Sequence, residues 1–441
     1  MLDIDSIKNT VIQWNNLDVL PTLPDNSVDA IVTDPPYWLS FMWKKRDYDV
    51  PSQKLWEECL RVLKPWWYLL AFAGTRTQHR MAVRIEDAWF EIRDMIAWVY
   101  GSGFPKSLNI GKQIDKMQGN EREIVGETRI GKTSMGDASG WDTSENMKAI
   151  KESGSVNITK GTSEREWRWT ALKPALEPIT VARKPLSEKT VAENVLKWWT
   201  GGINIDESRV GYEDKAEIDL INKRSGKATR GLYEGGFQEG FKGYADTQGR
   251  FPANIIHDNS EEVRECFPET HPSGNKAESI ERRNAGKSTG ANTNFSNGQL
   301  ISYEDESNNA SRFFKSIIYQ AKASKSERNM WCEEIPIKDP DHRSDTWKGS
   351  YVDKWIAPQS NSHPTVKPIA LMEYLVKLVS KEWSIVLDPF AWSGSTLIAC
   401  KKIDRQYIGI EMTPEYIPII EARLNAVVKE EPEEDLQPSL F

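Results

Sequence analysis

Two consecutive prolines, Pro35 and Pro36, stand directly behind the apolar run Val28-Asp29-Ala30-Ile31-Val32-Thr33 and fix where one strand of this chain must end. The run predicts a buried strand. A proline pair cannot continue a hydrogen-bonded ladder, so the chain has to leave the sheet at Asp34. That exit gathers a carboxylate, a proline carbonyl and the Tyr37 ring at the C-terminal edge of a strand, where open α/β sheets bind ligands. The chemistry that suits these groups is recognition of a flat ring bearing an amino group. Asp34 and the carbonyl of Pro35 can accept both amine hydrogens and leave the lone pair free, while Tyr37 stacks on the ring. A plain strand followed by a Pro-Pro turn accounts for the tetrapeptide equally well, so the rest of the chain has to decide.

The surrounding pattern predicts strands at Val11–Gln13, Val28–Thr33, Tyr68–Ala73 and Asp94–Tyr100, with helices at Gln53–Leu63 and Gln78–Ala88 between them. This alternation stops near Gly101 and resumes at Pro368. Beyond it, helices are expected at Ile369–Val379, Ser395–Lys402 and Pro414–Val428, and strands at Ser384–Asp388 and Tyr407–Glu411. Neither piece alone makes a sheet of the usual size, whereas together they do. The expected fold class is therefore α/β: a Rossmann-like, doubly wound, mostly parallel sheet with a large insertion. The expected boundaries are 1–105 and 350–428 for the two halves, 106–349 for the insertion and 429–441 for an acidic flexible tail. Within the insertion, Ser187–Trp198 reads as helical, Phe251–His257 as a strand and Ser311–Ala323 as a helix or extended segment. Residues 126–166, rich in Gly, Ser, Thr and Lys, read as a flexible loop.

Composition narrows the class further. With 441 residues, 39% of them hydrophobic, the chain can bury a full core. The four cysteines are far apart and form no C-x-x-C pair, which argues against a zinc site or a disulfide framework and fits a reducing cytoplasm. No metal is expected. The N-terminus lacks the regions of a signal peptide and no apolar run approaches a membrane span, so the reading is of a soluble cytoplasmic protein without a membrane partner. The net charge of −8 is poorly suited to nucleic acid, but Lys429 to Phe441 alone carries five acids against one lysine, half of that excess. Residues 221–250 carry six basic side chains against three acidic ones, enough to follow a phosphate backbone or to sit in a solvated loop.

A second strand-end acid follows in Leu387-Asp388-Pro389-Phe390-Ala391-Trp392-Ser393-Gly394-Ser395-Thr396, where a loop of small residues opens a helix and its backbone N–H groups can meet a nucleotide-like ligand. About 20 residues on, Tyr407-Ile408-Gly409-Ile410-Glu411 ends a strand in a carboxylate placed for ribose hydroxyls. Together with D-P-P-Y and with H-P-T-V-K-P at 363–368, these phrases resemble the class β amino-DNA methyltransferases that use S-adenosylmethionine. Their order, catalytic motif first and cofactor motif last, also resembles that class. The resemblance implies that 106–349 recognises the target sequence in double-stranded DNA. It implies that Asp34, Pro35, Pro36 and Tyr37 grip a flipped-out base, whose amine is out of reach inside a duplex. Asp388, Pro389, Phe390, Ser393, Gly394, Ser395 and Thr396 would line the cofactor and Glu411 would hold its ribose. His363, Thr365 and Lys367 would close over the cofactor, and Asn15 stands where an aspartate often lies near the adenine. An aspartate heading the tetrapeptide favours adenine N6. Cytosine N4 methylation and a catalytically impaired DNA-binding relative are the alternatives. A bacterial or phage origin and a cognate restriction enzyme belong to the same resemblance.

The departure from that pattern is tryptophan, of which there are 18. Trp392, Trp66, Trp67, Trp14, Trp38, Trp89, Trp199 and Trp383 stand where the family carries glycine. Glycine there supplies positive φ or lets the backbone approach a ligand, and an indole does neither. Two readings fit: a diverged, inactive protein, or UGA codons that are tryptophan in some genetic codes and glycine in others. Trp56 and Trp98 lie in helix-like and strand-like contexts and read as genuine. Elsewhere, Gly126 to Thr133 matches the P-loop spacing G-x-x-x-x-G-K-T, but the loop composition after it removes the helix that such a motif requires. The last five residues, Gln437-Pro438-Ser439-Leu440-Phe441, resemble short peptides that dock on the bacterial sliding clamp, and folding back onto the domain is the alternative.

Overall fold

The computed structural model describes residues 2–37, 49–101, 107–129, 155–161, 169–199, 201–212, 218, 249–270, 308–317, 332 and 366–427. The centre is a nine-stranded sheet. Its strands are β1 (Thr10–Gln13), β2 (Ala30–Thr33), β3 (Tyr68–Phe72), β4 (Glu91–Val99), β7 (Leu176–Arg183), β8 (Ile255–His257), β11 (Lys315–Ser316), β12 (Ile385–Asp388) and β13 (Gln406–Glu411). They lie in the order β1-β13-β12-β2-β3-β7-β4-β8-β11. Every pairing is parallel except those of β7, which runs antiparallel to both β3 and β4. From β2 the chain winds outward through β3, and from β12 it winds the other way through β13. The crevice between the ends of β2 and β12 is therefore the topological switch point of the sheet, the place where such folds take ligands.

The core strands alternate between two apolar layers. On β3, Leu70 and Phe72 face one layer while Leu69 and Ala71 face the other. The first layer is closed by α8 (Ile369–Val379), α9 (Ser395–Lys402) and α10 (Ile417–Asn425). The second is closed by α3 (Gln53–Val62) and α4 (Gln78–Asp87). Helix α3 buries Leu55, Trp56, Cys59 and Val62, a single stripe at helical spacing, and stops just before Pro65. Asp29 fixes the central pairing: its carboxylate accepts from the Ile385 N–H at 2.8 Å and holds Lys64 at 2.7 Å.

The strand pairings correct two expectations. Segment 106–349 is not separate from it, since β7, β8 and β11 all come from that segment and β7 lies near the middle. Strand also occurs towards both ends of the expected loop at 126–166: β5 (Glu123–Arg129) pairs antiparallel with β6 (Ser155–Lys160). The Val156 and Ile158 alternation is short and flanked by loop-like composition, which hides it in the sequence. The same pairing places Gly126 inside a strand beside a register shift, away from any phosphate-binding turn. The helix expected at Ser187–Trp198 is α6 (Val191–Trp198), started by a Thr190–Glu193 capping box. The segment expected at Ser311–Ala323 is a 3-10 turn at Ala310–Phe313 and the strand β11, with 318–323 outside the described residues.

Candidate active site

Strand β2 delivers Thr33 and Asp34 to the switch-point crevice, and β12 delivers Asp388 beside them. The Thr33 hydroxyl donates to Asp388 Oδ1 at 2.7 Å, so the two strand ends are joined by a buried hydrogen bond. The loop after Asp34 is held by Thr77, just ahead of α4, whose hydroxyl donates to the Tyr37 carbonyl at 2.7 Å. Tyr37 returns its own hydroxyl to Asp34 Oδ1 and lies 3.0 Å from Glu177 Oε1. Lys367, two residues before α8, completes the group. Its ammonium donates to Asp34 Oδ2 at 2.7 Å, to Glu177 Oε1 at 3.1 Å and to the Tyr37 oxygen at 3.1 Å.

Glu177 is the member that sequence reasoning missed. It reaches the site because β7 is antiparallel: the start of that strand lies where its neighbours end, with Ile179 opposite Phe72. The signal available was an acid two residues before the strand-forming stretch Ile179 to Ala182. A search for acids at the ends of parallel strands passes over it.

One ammonium shared between two carboxylates leaves the cluster with an excess negative charge. Burial pushes the Glu177 carboxyl up, against the pull of Lys367, with Asp34 adding to the rise. Burial pulls Lys367 down, but the Asp34 and Glu177 carboxylates outweigh it and hold the ammonium above its ordinary value. Tyr37 is raised well above the ordinary tyrosine value by burial and by the two acids, so its hydroxyl remains a donor.

The other side of the crevice is built differently. Asp388 is 2% exposed and accepts from Thr33 and from the Phe390 N–H at 3.1 Å. Burial raises it to about 6 against those hydrogen bonds and that of Thr396. Phe390, Trp392, Ser393, Ser395 and Thr396 line the same pocket as Asp34 and Lys367, so one cavity joins both sequence motifs. Gly394 turns the loop into α9 with φ 79°, where a side chain would be strained and would press on Ile420 at 3.0 Å. The buried Ser395 hydroxyl has no hydrogen-bond partner among the described residues. A buried acid, a small-residue loop at a helix start and an orphaned hydroxyl together fit a polar, positively charged cofactor.

The remaining expected residues support the loop. Pro389 accepts from Asn16 Nδ2 at 3.1 Å. Glu411 uses one oxygen for the Trp392 N–H at 2.9 Å and the other for the Thr413 N–H at 2.7 Å. Asn15 turns its side-chain oxygen to the Leu17 N–H at 3.0 Å as a helix cap. Lys367, expected over the cofactor, reaches across to the Asp34 side, drawn by two carboxylates. Pro35 is buried and Pro36 half-buried in the turn. His363, Thr365 and Gln437–Phe441 lie outside the described residues. Trp392 lies across the crevice, its indole N–H donating to the Asp34 carbonyl at 2.6 Å. Among the described residues no group of three metal-ligating side chains occurs, and no helix is long and apolar enough to cross a membrane.

Comparison with known proteins gives a consistent family. A family profile described as DNA methylase matches residues 28–422. The type II methyltransferase M2.DpnII of Streptococcus pneumoniae is 33% identical over 117 residues, 25% of this chain and 42% of that protein. The type II methyltransferase M.HindIII of Haemophilus influenzae is 55% identical over 49 residues, 11% of this chain and 16% of that protein. The chain thus spans less than half the length of these curated relatives. Among solved structures, the PvuII DNA methyltransferase, described as cytosine-N4-specific, aligns over 95% of this chain and 88% of its own at 12% identity, with a TM-score of 0.40.

Proposed function

Because the chain belongs to the N6/N4 DNA methylase family, we propose that it transfers a methyl group from S-adenosylmethionine to the exocyclic amine of a base in double-stranded DNA, with adenine N6 as the target. The observation that carries this reading is the acid cluster of Asp34, Tyr37, Lys367 and Glu177 opening into the same pocket as the Asp388 loop. When bound, the cofactor supplies a methyl already activated on a sulfonium, so the protein's task is alignment. Asp34 accepts an amine hydrogen and aims the nitrogen lone pair across the crevice. The amine becomes cationic as it reacts, and the excess negative charge of the cluster is set where that charge develops. Lys367 retains Glu177 as a partner when the amine takes its place on Asp34. Asp388, Phe390, Ser393, Ser395 and Thr396 hold the cofactor, with Glu411 fixing their loop.

Adenine rests on the aspartate that heads the tetrapeptide. The parts of segment 106–349 outside the central sheet take the role of target recognition, the cytoplasm is the compartment this function requires, and a cognate restriction enzyme is a further partner. Docking of Gln437–Phe441 on a sliding clamp rests on the peptide's resemblance alone, and calorimetric titration of clamp with and without residues 436–441 tests it. A second reading, a DNA-binding relative without catalysis, is favoured by the Trp392 indole in the crevice. Radiolabelled methyl transfer to duplex DNA, RNA and protein, with analysis of the modified base, separates these readings. Label in N6-methyladenine is the expected result, label in N4-methylcytosine moves the target, and no label in any substrate, with the chain or with its Trp392→Gly variant, overturns the proposal.

A further inference from the structure

Among the described residues, nine that are not glycine hold positive φ. Four are Asn9, Asn26, Asn259 and Asp404, the types whose short polar side chains tolerate the left-handed region. The other five are all tryptophan: Trp66 at 72°, Trp89 at 70°, Trp199 at 52°, Trp383 at 66° and Trp392 at 49°. No other residue type shares the region, although several are commoner in the chain than tryptophan.

Each of the five stands where the backbone makes a turn. Trp199 is the left-handed cap of α6, its N–H donating to the Val195 carbonyl at 2.8 Å. Helices commonly end on glycine in this way. Trp89 follows α4 and donates to the Glu86 carbonyl at 2.8 Å, and Trp383 leads into β12 and donates to the Asp404 carbonyl at 2.8 Å. Trp66 leads into β3 and donates to the Lys184 carbonyl at 3.1 Å. In the pocket loop, the Trp392 N–H donates to Glu411. All five donors are main-chain N–H groups, so none of these bonds needs the tryptophan side chain. Three of the rings lie largely in water, with Trp89 78%, Trp199 77% and Trp383 64% exposed. Trp56 and Trp98 differ in both respects: they are buried in a helix and a strand and keep ordinary φ.

A left-handed turn wants glycine, and one codon links glycine to tryptophan without touching other residues. UGA is read as tryptophan in some genetic codes and as glycine in others. We propose that positions 66, 89, 199, 383 and 392 are glycine in the protein its own cell makes, each encoded by a UGA codon that the cell reads as glycine. Position 392 matters most. Its indole bridges from the Asp388 loop to the Asp34 carbonyl, across the gap that a target amine and a methyl donor must share. Without that ring the N–H to Glu411 remains, the turn relaxes and the two sides of the crevice open to each other.

The direct test reads the gene and the protein. UGA at all five codons, with tryptic peptides from the source cell that carry glycine there, is the expected result. UGG at any of the five, or an indole-containing peptide at any of them, overturns the proposal. A second arm concerns the pocket and rests on the proposed cofactor. Titration of S-adenosylmethionine into the chain as written and into its Trp392→Gly variant should show affinity rising at least about tenfold in the variant. Glycine at the five positions without that gain counts against the cofactor reading and leaves the composition intact. The gain together with tryptophan in the native peptides counts against the composition alone.

Discussion

The two acids of the crevice end neighbouring parallel strands, yet their surroundings are opposite. Asp34 is paired with an ammonium and a phenol and shares both with Glu177. Among the described residues, Asp388 meets only hydroxyl and amide donors, and its carboxyl is pushed up to about 6 by burial. The first environment is complete within the chain, and an amine entering it must displace a cation of similar character. The second meets no positive charge among the described residues. Two carboxylates in matching positions are thus assigned different work by what faces them.

The sharpest way to break this contrast is Asp34→Ala, made in the chain as written and in its Trp392→Gly variant. Methyl transfer should fall by about a thousandfold or more, with cofactor affinity changed less than about twofold, as kinetics and calorimetry read separately. A parallel loss of cofactor affinity would merge the two sides. Asp388 comes next, through pH. Its value of about 6 in the fold lies above the ordinary 3.8, so the folded state holds the proton more tightly than the unfolded chain. Its contribution to stability is therefore complete below about pH 4 and is lost as pH rises through 6, on the order of 3 kcal/mol. Denaturant unfolding from pH 4 to 7 should show that slope, and Asp388→Asn should flatten it. A cationic cofactor should also bind more tightly as pH rises through the same window.

Glu177→Gln sharpens the other side. Removing the charge while keeping the shape should lower kcat by about tenfold and leave cofactor affinity alone, because the effect passes through Lys367 and Tyr37. An unchanged kcat would make Glu177 a structural residue only. The smallest effect belongs to the bond between the two sides. Thr33→Val removes the hydroxyl that Asp388 accepts from and should cost about 1 kcal/mol of stability by urea unfolding.

What was legible in the sequence follows strand direction. The parallel strands β2, β12 and β13 each end in an acid followed by a turn, and their sites and flanking helices stand out as punctuation. Strand β7 is antiparallel, carries its acid at its start and is announced by no such turn, so neither its place near the middle of the sheet nor Glu177 was foreseen. The Lys367 side chain was placed by motif on the cofactor side, whereas two carboxylates decide its position. Tryptophan was legible in part. Trp392, Trp66, Trp89, Trp199 and Trp383 hold the glycine-like conformation that was expected, at roughly 1–2 kcal/mol each for an ordinary side chain. Trp14 and Trp67, singled out on the same grounds, do not hold it. Trp38 lies outside the described residues.

The pairings between the first and last strands also set when the crevice can form. Ala30 is partnered by Val386, and Thr10 by Ile408, so β1 and one edge of β2 must wait for the last strands made. During synthesis β1 and β2 leave the ribosome with apolar faces uncovered while hundreds of residues are still to be added, a long interval for holding chaperones. The central pairing then closes over a very long loop, which makes for slow, late folding. The two acids come together in that same event. Asp34, Tyr37 and Glu177 lie on or beside strands made early and paired through β3, whereas Lys367 and Asp388 arrive only with the last segment, so the crevice is completed from one side.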